Sequence, residues 1–441
     1  RPCRMPRRLL VRLFSFLLVL GALGLGGGCK STQQESKKAA SEAAPVASTP
    51  RFAAPDASIR TVQLYAGSNE RRLPVTTLGG AGEPLTLEFD LMGTDGRPLS
   101  VYFQHADRNW ERDLSPSRAL ESFQDDRLLD YRSSQGTEVP YVHYRYRFPN
   151  DEIRFRVSGN YVLRVTERGR RDSVLFEYPF YVAEQRGDLK LEAEGLAVPG
   201  QRAPSLRPVA RVRPPPEIQG NPFGHTVCFV RNGRVTRPRC EERPKLMRQP
   251  ELTFELSRDR AYAPIAAGYE VDLTTLQPSS QIAQVDRSQS PVRVVLDADY
   301  ARFGEAPRRM RGGFGQPVVR AALPGRIDPA TRAEYVETIF AFVPGQKRPY
   351  GAPLLVSGNF RDATTADGVQ MTWSQSRSRY ETSVLLKQGI YRYEYSTADP
   401  TLTAQIRSTQ PRITGRYTAF VYYRDARRNT DRLLQVRRGS L

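Results

Sequence analysis

Hydrophobic and polar residues alternate with a period of two along most of this chain. In the segment LTLEFDL, Leu85, Leu87 and Phe89 lie on one face, and Glu88 and Asp90 lie on the other. Such strands bury one face and expose the other, as in antiparallel sheets that pack in pairs. The pattern therefore predicts an all-β protein built from tandem immunoglobulin-like antiparallel β-sandwich domains.

Helical periodicity is almost absent, and two short segments favour a helix most. In SPSRALESF, Ser115 is a candidate N-cap and Pro116 follows it in the first turn. Asp328 and Pro329 take the same two positions in DPATRAEYVE. Both segments are predicted to form short helices between strands.

Segments rich in proline, glycine or small polar residues interrupt the alternation and divide the chain. The predicted divisions are a lipoprotein-type signal peptide over residues 1–28, a flexible tether over 29–56, a first β-sandwich over 57–185, a middle β-domain with a basic Gly/Pro-rich connector over 186–333, and a C-terminal early-set immunoglobulin-like β-domain over 334–441. The tether is predicted from its polar, alanine-rich and proline-bearing composition.

The N-terminal segment has the order of an export signal, with basic, then apolar, then small residues. Its apolar run over 13–25 is shorter than the ~20 residues that a membrane-spanning helix needs. Cys29 follows three glycines, and Lys30 behind it resembles outer-membrane sorting. We therefore expect a periplasmic protein that a lipid on Cys29 anchors to the outer membrane. Secretion without lipidation, giving a soluble periplasmic protein, is the alternative.

The chain of 441 residues carries a formal net charge of +19. Removal of residues 1–28 takes away five arginines and no acidic residue, which leaves +14. A basic protein can bind nucleic acid, but an exported protein meets little of it, and no nucleic-acid-binding module is recognisable here. We predict no nucleic-acid partner, and we attribute the sign of the charge to anionic lipid head groups or to an acidic partner.

Two cysteines, Cys228 and Cys240, remain beyond Cys29, and an exported protein meets an oxidising compartment. Between them, Asn232-Gly233 lies between valine-containing segments and is a strong hairpin signal. We predict a disulfide between the two cysteines, with two free thiols as the alternative. Two cysteines without a histidine at a suitable spacing are too few for a structural zinc site.

The segment HADRNWERDLSPSRALESF, residues 105–123, has the composition of an active site without a catalytic motif. The three histidines of the chain, His105, His143 and His225, fall in separate sequence contexts. Neither G-x-S-x-G nor H-E-x-x-H occurs. We therefore predict no catalytic residue, no metal site, no cofactor and no small-molecule substrate.

A structural interpretation accounts for the same residues. The strand LSVYFQH ends at His105, and Asp107 is placed to accept hydrogen bonds from backbone amides in the turn that follows. Trp110 then covers the end of the sandwich with a large apolar side chain. Tyr161, at the start of the strand YVLRV, is similar to the tyrosine of a tyrosine corner.

These residues also carry a family resemblance. The chain resembles the first domain of the type IX secretion system plug protein, which has an H-x-D-x-x-W turn, a Y-x-H-Y strand, a P-N turn and an S-G-N-Y strand in this order. The matching residues are His105, Asp107, Trp110, Tyr141, His143, Tyr144, Pro149, Asn150, Ser158, Gly159, Asn160 and Tyr161. The similarity is dense over 57–185, fair over 334–435 and thin between them.

The resemblance implies a structural role. A plug of this family docks on the periplasmic mouth of the large outer-membrane translocon barrel and keeps the pore shut until a folded cargo arrives. It therefore implies a non-enzymatic protein whose partners are that barrel and, through the lipid on Cys29, the periplasmic leaflet of the outer membrane.

A glycan- or peptidoglycan-binding lipoprotein is the alternative function. The C-terminal strand pattern resembles that of carbohydrate-binding sandwiches, in which Trp373, Tyr380 and Tyr391 could form a stacking platform. The competing interpretation places these aromatic side chains in the core.

Overall fold

A computed structural model describes residues 52–80, 82–197, 205–235, 237–248, 250–263, 268–301, 316–325, 327–360, 368–408 and 415–440. These residues contain 28 β-strands and two short α-helices, so the predicted all-β class is confirmed. The immunoglobulin-like assignment stays a prediction. The predicted signal peptide, Cys29 and most of the predicted tether lie outside the described residues.

The strands occur in three groups along the chain. The first group comprises β1 (Ile59–Ala66), β2 (Val75–Thr77), β3 (Leu85–Met92), β4 (Leu99–Ala106), helix α1 (Pro116–Ala119), β5 (Asp125–Leu128), β6 (Asp130–Ser133), β7 (Tyr141–Phe148), β8 (Gly159–Glu167) and β9 (Val174–Ala183). The second comprises β10 (Asp188–Leu196), β11 (Ser205–Arg213), β12 (His225–Arg231), β13 (Arg239–Glu241), β14 (Leu246–Arg248) and β15 (Glu251–Glu255). The third comprises β16 (Tyr269–Asp272), β17 (Ile282–Asp286), β18 (Arg293–Leu296), β19 (Asp299–Tyr300), β20 (Val318–Val319), β21 (Tyr335–Val343), β22 (Leu354–Gly358), β23 (Val369–Gln370), β24 (Thr372–Ser374), β25 (Arg379–Lys387), β26 (Gly389–Thr397), helix α2 (Pro400–Ser408), β27 (Arg416–Asp425) and β28 (Thr430–Ser440).

The first sandwich packs the sheet β1-β3-β7-β6 against the sheet β2-β9-β8-β4-β5. Its core contains the predicted inward face of β3, including Leu85, Leu87 and Phe89, which are at most 1% exposed. Alternation of side chains across each strand therefore builds this core, as expected. The opposite face of β3 is also buried, because another sandwich covers it.

The second sandwich takes its strands from two distant parts of the chain. Its sheets are β10-β11-β15-β14 and β13-β12-β27-β28, and β12 pairs with β27 from His225↔Tyr423 to Arg231↔Tyr417. Phe229 and Val421 lie in the same core. The segments 186–333 and 334–441 therefore share a sheet, and the boundary predicted at 333/334 does not separate two sheets.

The third sandwich packs β16-β26-β22-β23 against β17-β18-β21-β25-β24. Its pairings are not all antiparallel, since β18 and β19 run parallel to β21. In the first sandwich β2 likewise runs parallel to β9. The other pairings between the described strands are antiparallel, so the predicted antiparallel character holds and these short pairs are the exceptions.

Local structure departs from the predicted helices at one site. Ser115 lies at the N-cap position of α1 as predicted, although its side chain makes no cap hydrogen bond. The helix predicted at Asp328 is wrong: the chain makes a turn over 329–332, in which Ala333 N–H donates to Pro329 C=O at 2.9 Å. The turn ends there because Tyr335 already belongs to β21.

A disulfide joins Cys228 to Cys240, which face each other across β12 and β13. In the connecting hairpin, Asn232 and Gly233 have φ values of 56° and 73°. Two consecutive positive φ values are typical of the type I′ turn that Asn-Gly favours.

The described end of the predicted tether is ordered against the first sandwich. Phe52 is 9% exposed and packs edge-to-face on Trp110 with the ring centroids 5.4 Å apart. Ala53 N–H donates to Glu177 at 3.0 Å. Residues 52–56 are therefore part of the folded body rather than of a flexible tether. Across the described residues, no helix has both the length and the apolar character that crossing a membrane requires.

Candidate functional site

The first sandwich contacts both other sandwiches, and the contacts form two polar seams. The 1–2 seam joins the ends of β4 and β8 to strands β27 and β28 of the second sandwich. The 1–3 seam joins the outer face of β3 and β7 to β21 and β25 of the third sandwich. Most residues of the family motifs lie in one of these two seams.

His105 is fully buried at the end of β4 in the 1–2 seam. One ring nitrogen, Nδ1, lies 2.6 Å from Asp113 Oδ1, and the other, Nε2, lies 3.2 Å from Ser158 C=O. The second oxygen of Asp113 accepts a hydrogen bond from Thr430 of β28. Both nitrogens of the imidazole are therefore engaged, and Asp113 connects the ring to the second sandwich.

The turn after His105 is held by Asp107, as the sequence predicted. Its Oδ1 accepts hydrogen bonds from the backbone N–H groups of Asn109 and Glu111, both at 2.9 Å. Trp110 then adopts a φ of 70° and is only 4% exposed. This left-handed conformation is uncommon for a bulky residue. It turns the indole into the core cluster shared by the first two sandwiches, where it packs on Tyr181 at 5.3 Å.

The Ser158-Gly159-Asn160 motif enters β8 beside the same seam. Ser158 Oγ accepts the Leu433 N–H at 3.1 Å, and Asn160 Oδ1 accepts the Tyr422 hydroxyl at 2.7 Å. Gly159 is required because a Cβ there would collide with the His105 ring. Through these two hydrogen bonds, the motif ties the first sandwich to a backbone group and to a side chain of the second sandwich.

Two ion pairs complete the 1–2 seam. Arg108 Nη1 lies 3.0 Å from Asp431, whose side chain is 1% exposed. Arg432 donates two hydrogen bonds of 2.7 Å to Glu184, in the bidentate arrangement that favours arginine over lysine. A buried carboxylate with a bidentate partner fixes the orientation of the two sheets.

The 1–3 seam is centred on Asp90, which is 1% exposed. Its Oδ2 accepts hydrogen bonds from Lys387 Nζ at 2.6 Å and from the Tyr335 hydroxyl at 2.7 Å. Its Oδ1 lies 2.8 Å from His143 Nδ1 on the neighbouring strand β7. Lys387 Nζ also lies 4.1 Å from the centroid of the Tyr141 ring, which adds a cation–π contact.

The charged groups of the 1–3 seam shift one another's pKa values. Burial alone would raise the pKa of Asp90, but the Lys387 ammonium and the hydrogen bond with His143 outweigh burial and lower it. Burial lowers the pKa of His143, yet its hydrogen bond with Asp90 and the Glu88 carboxylate 3.6 Å from Nε2 outweigh that effect and raise it. Burial opposes ionisation of Glu88 as well, and the contacts with His143, Tyr65 and Arg145 lower its pKa to about 2.

A polar cavity of about 340 Å³ opens beside this cluster and is lined by Glu88, His143 and Lys387. Glu70 also lines it, and burial together with the nearby Glu88 raises the pKa of Glu70 to about 7. In this cavity wall, His143 Nδ1 is hydrogen-bonded to Asp90, and Nε2 lies 3.6 Å from Glu88 Oε1 without a hydrogen-bond partner among the described residues.

Three motif residues lie within the first sandwich instead. The Tyr144 hydroxyl donates to Arg97 C=O at 2.8 Å, and Asn150 Oδ1 accepts the Ile153 N–H at 2.8 Å, which closes the P-N turn. The Tyr161 hydroxyl donates to Val157 C=O at 2.7 Å, four residues upstream. This is the hydrogen-bond pattern of a tyrosine corner.

The comparisons with known proteins agree with this arrangement. Residues 59–184 match the family model described as "Type 9 secretion system plug protein 1st domain". The first sandwich therefore matches the first domain of the type IX secretion system plug family. The resemblance found in the sequence is therefore confirmed over these residues, and the similarity predicted for 334–435 stays a prediction. No curated protein matches the chain significantly.

A solved structure extends the comparison to the whole folded body. The crystal structure of a hypothetical protein from Parabacteroides merdae matches 88% of this chain and 98% of its own, with a TM-score of 0.77 and 21% sequence identity. At this identity the likeness shows a shared fold. The arrangement of the three sandwiches therefore recurs in a second protein.

Sequence reasoning missed the partners of the plug-domain motifs. Asp90 was assigned to an exposed face, and Lys387 and Asp431 were not singled out. Lys387 had one signal, since it is a lone charge after the apolar run VLL in a strand of the third sandwich. A charge in that position is buried only when paired.

The described residues do not assemble a metal or glycan site around the motifs. They contain no group of three His, Cys, Asp or Glu side chains able to hold a metal ion. His225 is fully buried on β12 of the second sandwich, and burial lowers its pKa. Tyr380 and Tyr391 are 4% and 2% exposed in the third core, so they cannot stack on a sugar beside Trp373. The competing interpretation, which places these aromatic side chains in the core, therefore holds for Tyr380 and Tyr391.

Proposed function

We propose that this protein is a non-enzymatic periplasmic plug that occludes the large outer-membrane translocon of the type IX secretion system. The match of residues 59–184 to the plug first domain carries the proposal. A protein that bears this domain belongs with the secretion system, and occlusion is the role that we assign to it there.

The packing of the folded body supports occlusion. A plug must resist deformation, and packed protein interiors have low compressibility. Here the described residues form one compact unit, and both seams contain buried charges that are paired across sandwiches. Separating the sandwiches would leave such charges uncompensated, which is strongly destabilising. The three sandwiches are therefore expected to move as one body.

The partner in this proposal is the translocon barrel, contacted from the periplasmic side. A stable contact of this kind buries on the order of 1,000 Å² or more. We further propose lipidation of Cys29, which would hold the plug at the periplasmic leaflet of the outer membrane, with a soluble periplasmic form as the alternative. Cofactors, nucleic acid and small-molecule substrates have no part in this function.

Outer-membrane permeability tests the proposal. We expect a strain lacking this protein to become sensitive to vancomycin, which an intact outer membrane excludes, and we expect the wild-type gene to restore resistance. The decisive control is a strain lacking both this protein and the translocon barrel. If the leak runs through an open barrel, the double deletion is resistant again. Sensitivity that persists without the barrel would show general envelope damage and contradict occlusion.

Mass spectrometry of the mature N-terminus tests the anchor separately. A diacylglyceryl-modified Cys29 and release of a Cys29→Ser variant into the soluble periplasmic fraction are expected. An unmodified N-terminus at another residue would remove the anchor and leave the occlusion proposal standing.

A further inference from the structure

A deep groove of about 1090 Å³ lies where the three sandwiches meet. The first sandwich contributes residues 59–62 of β1, and the second contributes the hairpin loop around Asn232-Gly233. Strands β22, β25 and β26 of the third sandwich contribute much of the remaining wall. All three sandwiches therefore line the groove, and the contacts of the family motifs described above do not account for it.

One wall of the groove is an open strand edge. Strand β25 pairs with β21 along its length, but β24 pairs only with Arg379–Glu381. Among the described residues, no strand covers the other edge of 382–387, and Ser383–Lys387 line the groove. Backbone N–H and C=O groups alternate along such an edge and can pair with an added strand.

The other walls carry a concentrated positive charge. Seven arginines line the groove against one carboxylate, Glu394; the arginines are Arg60, Arg71, Arg72, Arg234, Arg237, Arg407 and Arg438. Glu394 is shared by Arg234 at 2.7 Å and Arg407 at 3.5 Å, and Arg72 pairs with Glu83. Within the described part of the chain, the other four form no ion pair with a carboxylate.

We infer that this groove binds an extended acidic segment of a partner polypeptide, added as a strand to the open edge of β25. Alternate side chains of such a strand point to opposite sides, so acidic residues can face the arginines while their neighbours contact the half-buried Val384 and Leu355. A flat membrane surface cannot enter a groove between three sandwiches. Residues 302–315 of this chain hold four arginines and one glutamate, so their charge does not match the walls.

This inference goes beyond occlusion of the translocon, because the groove would bind such a segment whether or not the protein closes a pore. An acidic segment would also be a partner of the kind that the formal net charge of +19 on this chain leads us to expect. Electrostatic attraction of this kind depends on ionic strength and on the position of the charges.

Fluorescence anisotropy with the full-length protein tests the inference. The probe is a fluorescein-labelled 12-residue peptide that alternates Glu and Thr, and the control peptide alternates Gln and Thr. The groove variant is Arg71→Glu/Arg237→Glu, since both side chains are exposed in the groove. The matched control variant is Arg168→Glu/Arg258→Glu, which changes the net charge equally at exposed positions outside the groove.

We expect saturable binding of the Glu peptide to the wild type and to the control variant, and binding at least about tenfold weaker to the groove variant. N-methylation of alternate peptide amides should weaken binding to the wild type by about tenfold as well, because it removes the donors of an added strand. The inference is overturned by equal weakening in both charge-reversal variants, by equal affinity of the N-methylated peptide, or by no binding of the Glu peptide. Binding of anionic lipid vesicles that depends on Arg71 and Arg237, without peptide binding, would assign the groove to a membrane surface instead and also overturn it.

Discussion

Lys387 donates a hydrogen bond to Asp90 at 2.6 Å although 297 positions separate the two residues, and each side chain is 1% exposed. The pair joins strand β25 of the third sandwich to strand β3 of the first sandwich. Charges this deeply buried are tolerated only in pairs with further hydrogen bonds, and Asp90 has these from Tyr335 and His143. The seam between the two sandwiches therefore depends on a buried network rather than on apolar packing alone.

Removing one partner of this pair should be costly. We expect Lys387→Met to lower the free energy of unfolding by about 3–5 kcal/mol, because it leaves the Asp90 carboxylate buried without its ammonium. Urea-induced unfolding measures the change. The double variant Asp90→Asn/Lys387→Met should be more stable than Lys387→Met alone, since it removes the unpaired charge. Lys190→Met at an exposed position is the control and should change stability by less than about 0.5 kcal/mol. A loss of stability in Lys190→Met as large as that in Lys387→Met would contradict the pairing.

Stability of the 1–3 seam should depend on pH through His143. The pKa of His143 is raised in the folded protein, so its stabilising effect is fully present below the unfolded-state pKa of about 6.5 and is lost as pH rises through the folded-state pKa. We expect the difference in unfolding free energy between the wild type and His143→Gln to shrink from pH 6 to pH 9. Glu88, with a pKa of about 2, stays ionised throughout this range.

His225 supplies a control of opposite sign. Burial lowers its pKa, so its contribution is present above the unfolded-state pKa and is lost as pH falls. The difference between the wild type and His225→Gln should therefore not shrink toward high pH. A His143→Gln difference that stays constant or grows with pH would show that His143 is neutral in the seam.

The two tryptophans of the chain should differ strongly in their contribution to stability. Trp110 lies in the core cluster between Phe52 and Tyr181, and its loss would leave a large cavity. We expect Trp110→Ala to cost about 3–5 kcal/mol. Trp373 is only half-buried at the edge of the third sandwich, and Trp373→Ala should cost about 1 kcal/mol. Thermal unfolding by circular dichroism compares the two, and equal losses would refute the covering role of Trp110.

The disulfide should stabilise the hairpin of the second sandwich. It closes a short loop, with a sequence separation of 12 between Cys228 and Cys240. A loop of this length corresponds to about 2–3 kcal/mol of stabilisation in the chain-entropy account. We expect Cys228→Ser/Cys240→Ser to unfold at lower urea concentration, and a reductant should shift the wild type but not the variant. A wild type that does not respond to reductant would indicate that the thiols are free in solution.

Much of the fold follows from local pattern. The period-two alternation over residues 85–91 and 143–148 specified strands β3 and β7 and the face of each that enters the core, because side chains on a strand alternate strictly between two sides. The H-x-D-x-x-W turn was equally local, since Asp107 reaches amides two and four residues away. Helix α2 was missed although Asp399-Pro400 is a capping signal, and Asp399 does accept the N–H of Thr401 at 2.8 Å.

What the sequence by itself determined about this protein is the all-β class, the inward face of the strands and the plug-domain motifs over 105–161. Only the tertiary structure decided what covers the second face. Glu88, Asp90 and His143 alternate in sequence as exposed residues would, yet each is at most 8% exposed because the third sandwich lies against them. The physical reason is that alternation distinguishes the two sides of a strand within a few residues. The choice between water and another sandwich depends on partners hundreds of positions away, such as Lys387, whose pairing no local pattern encodes.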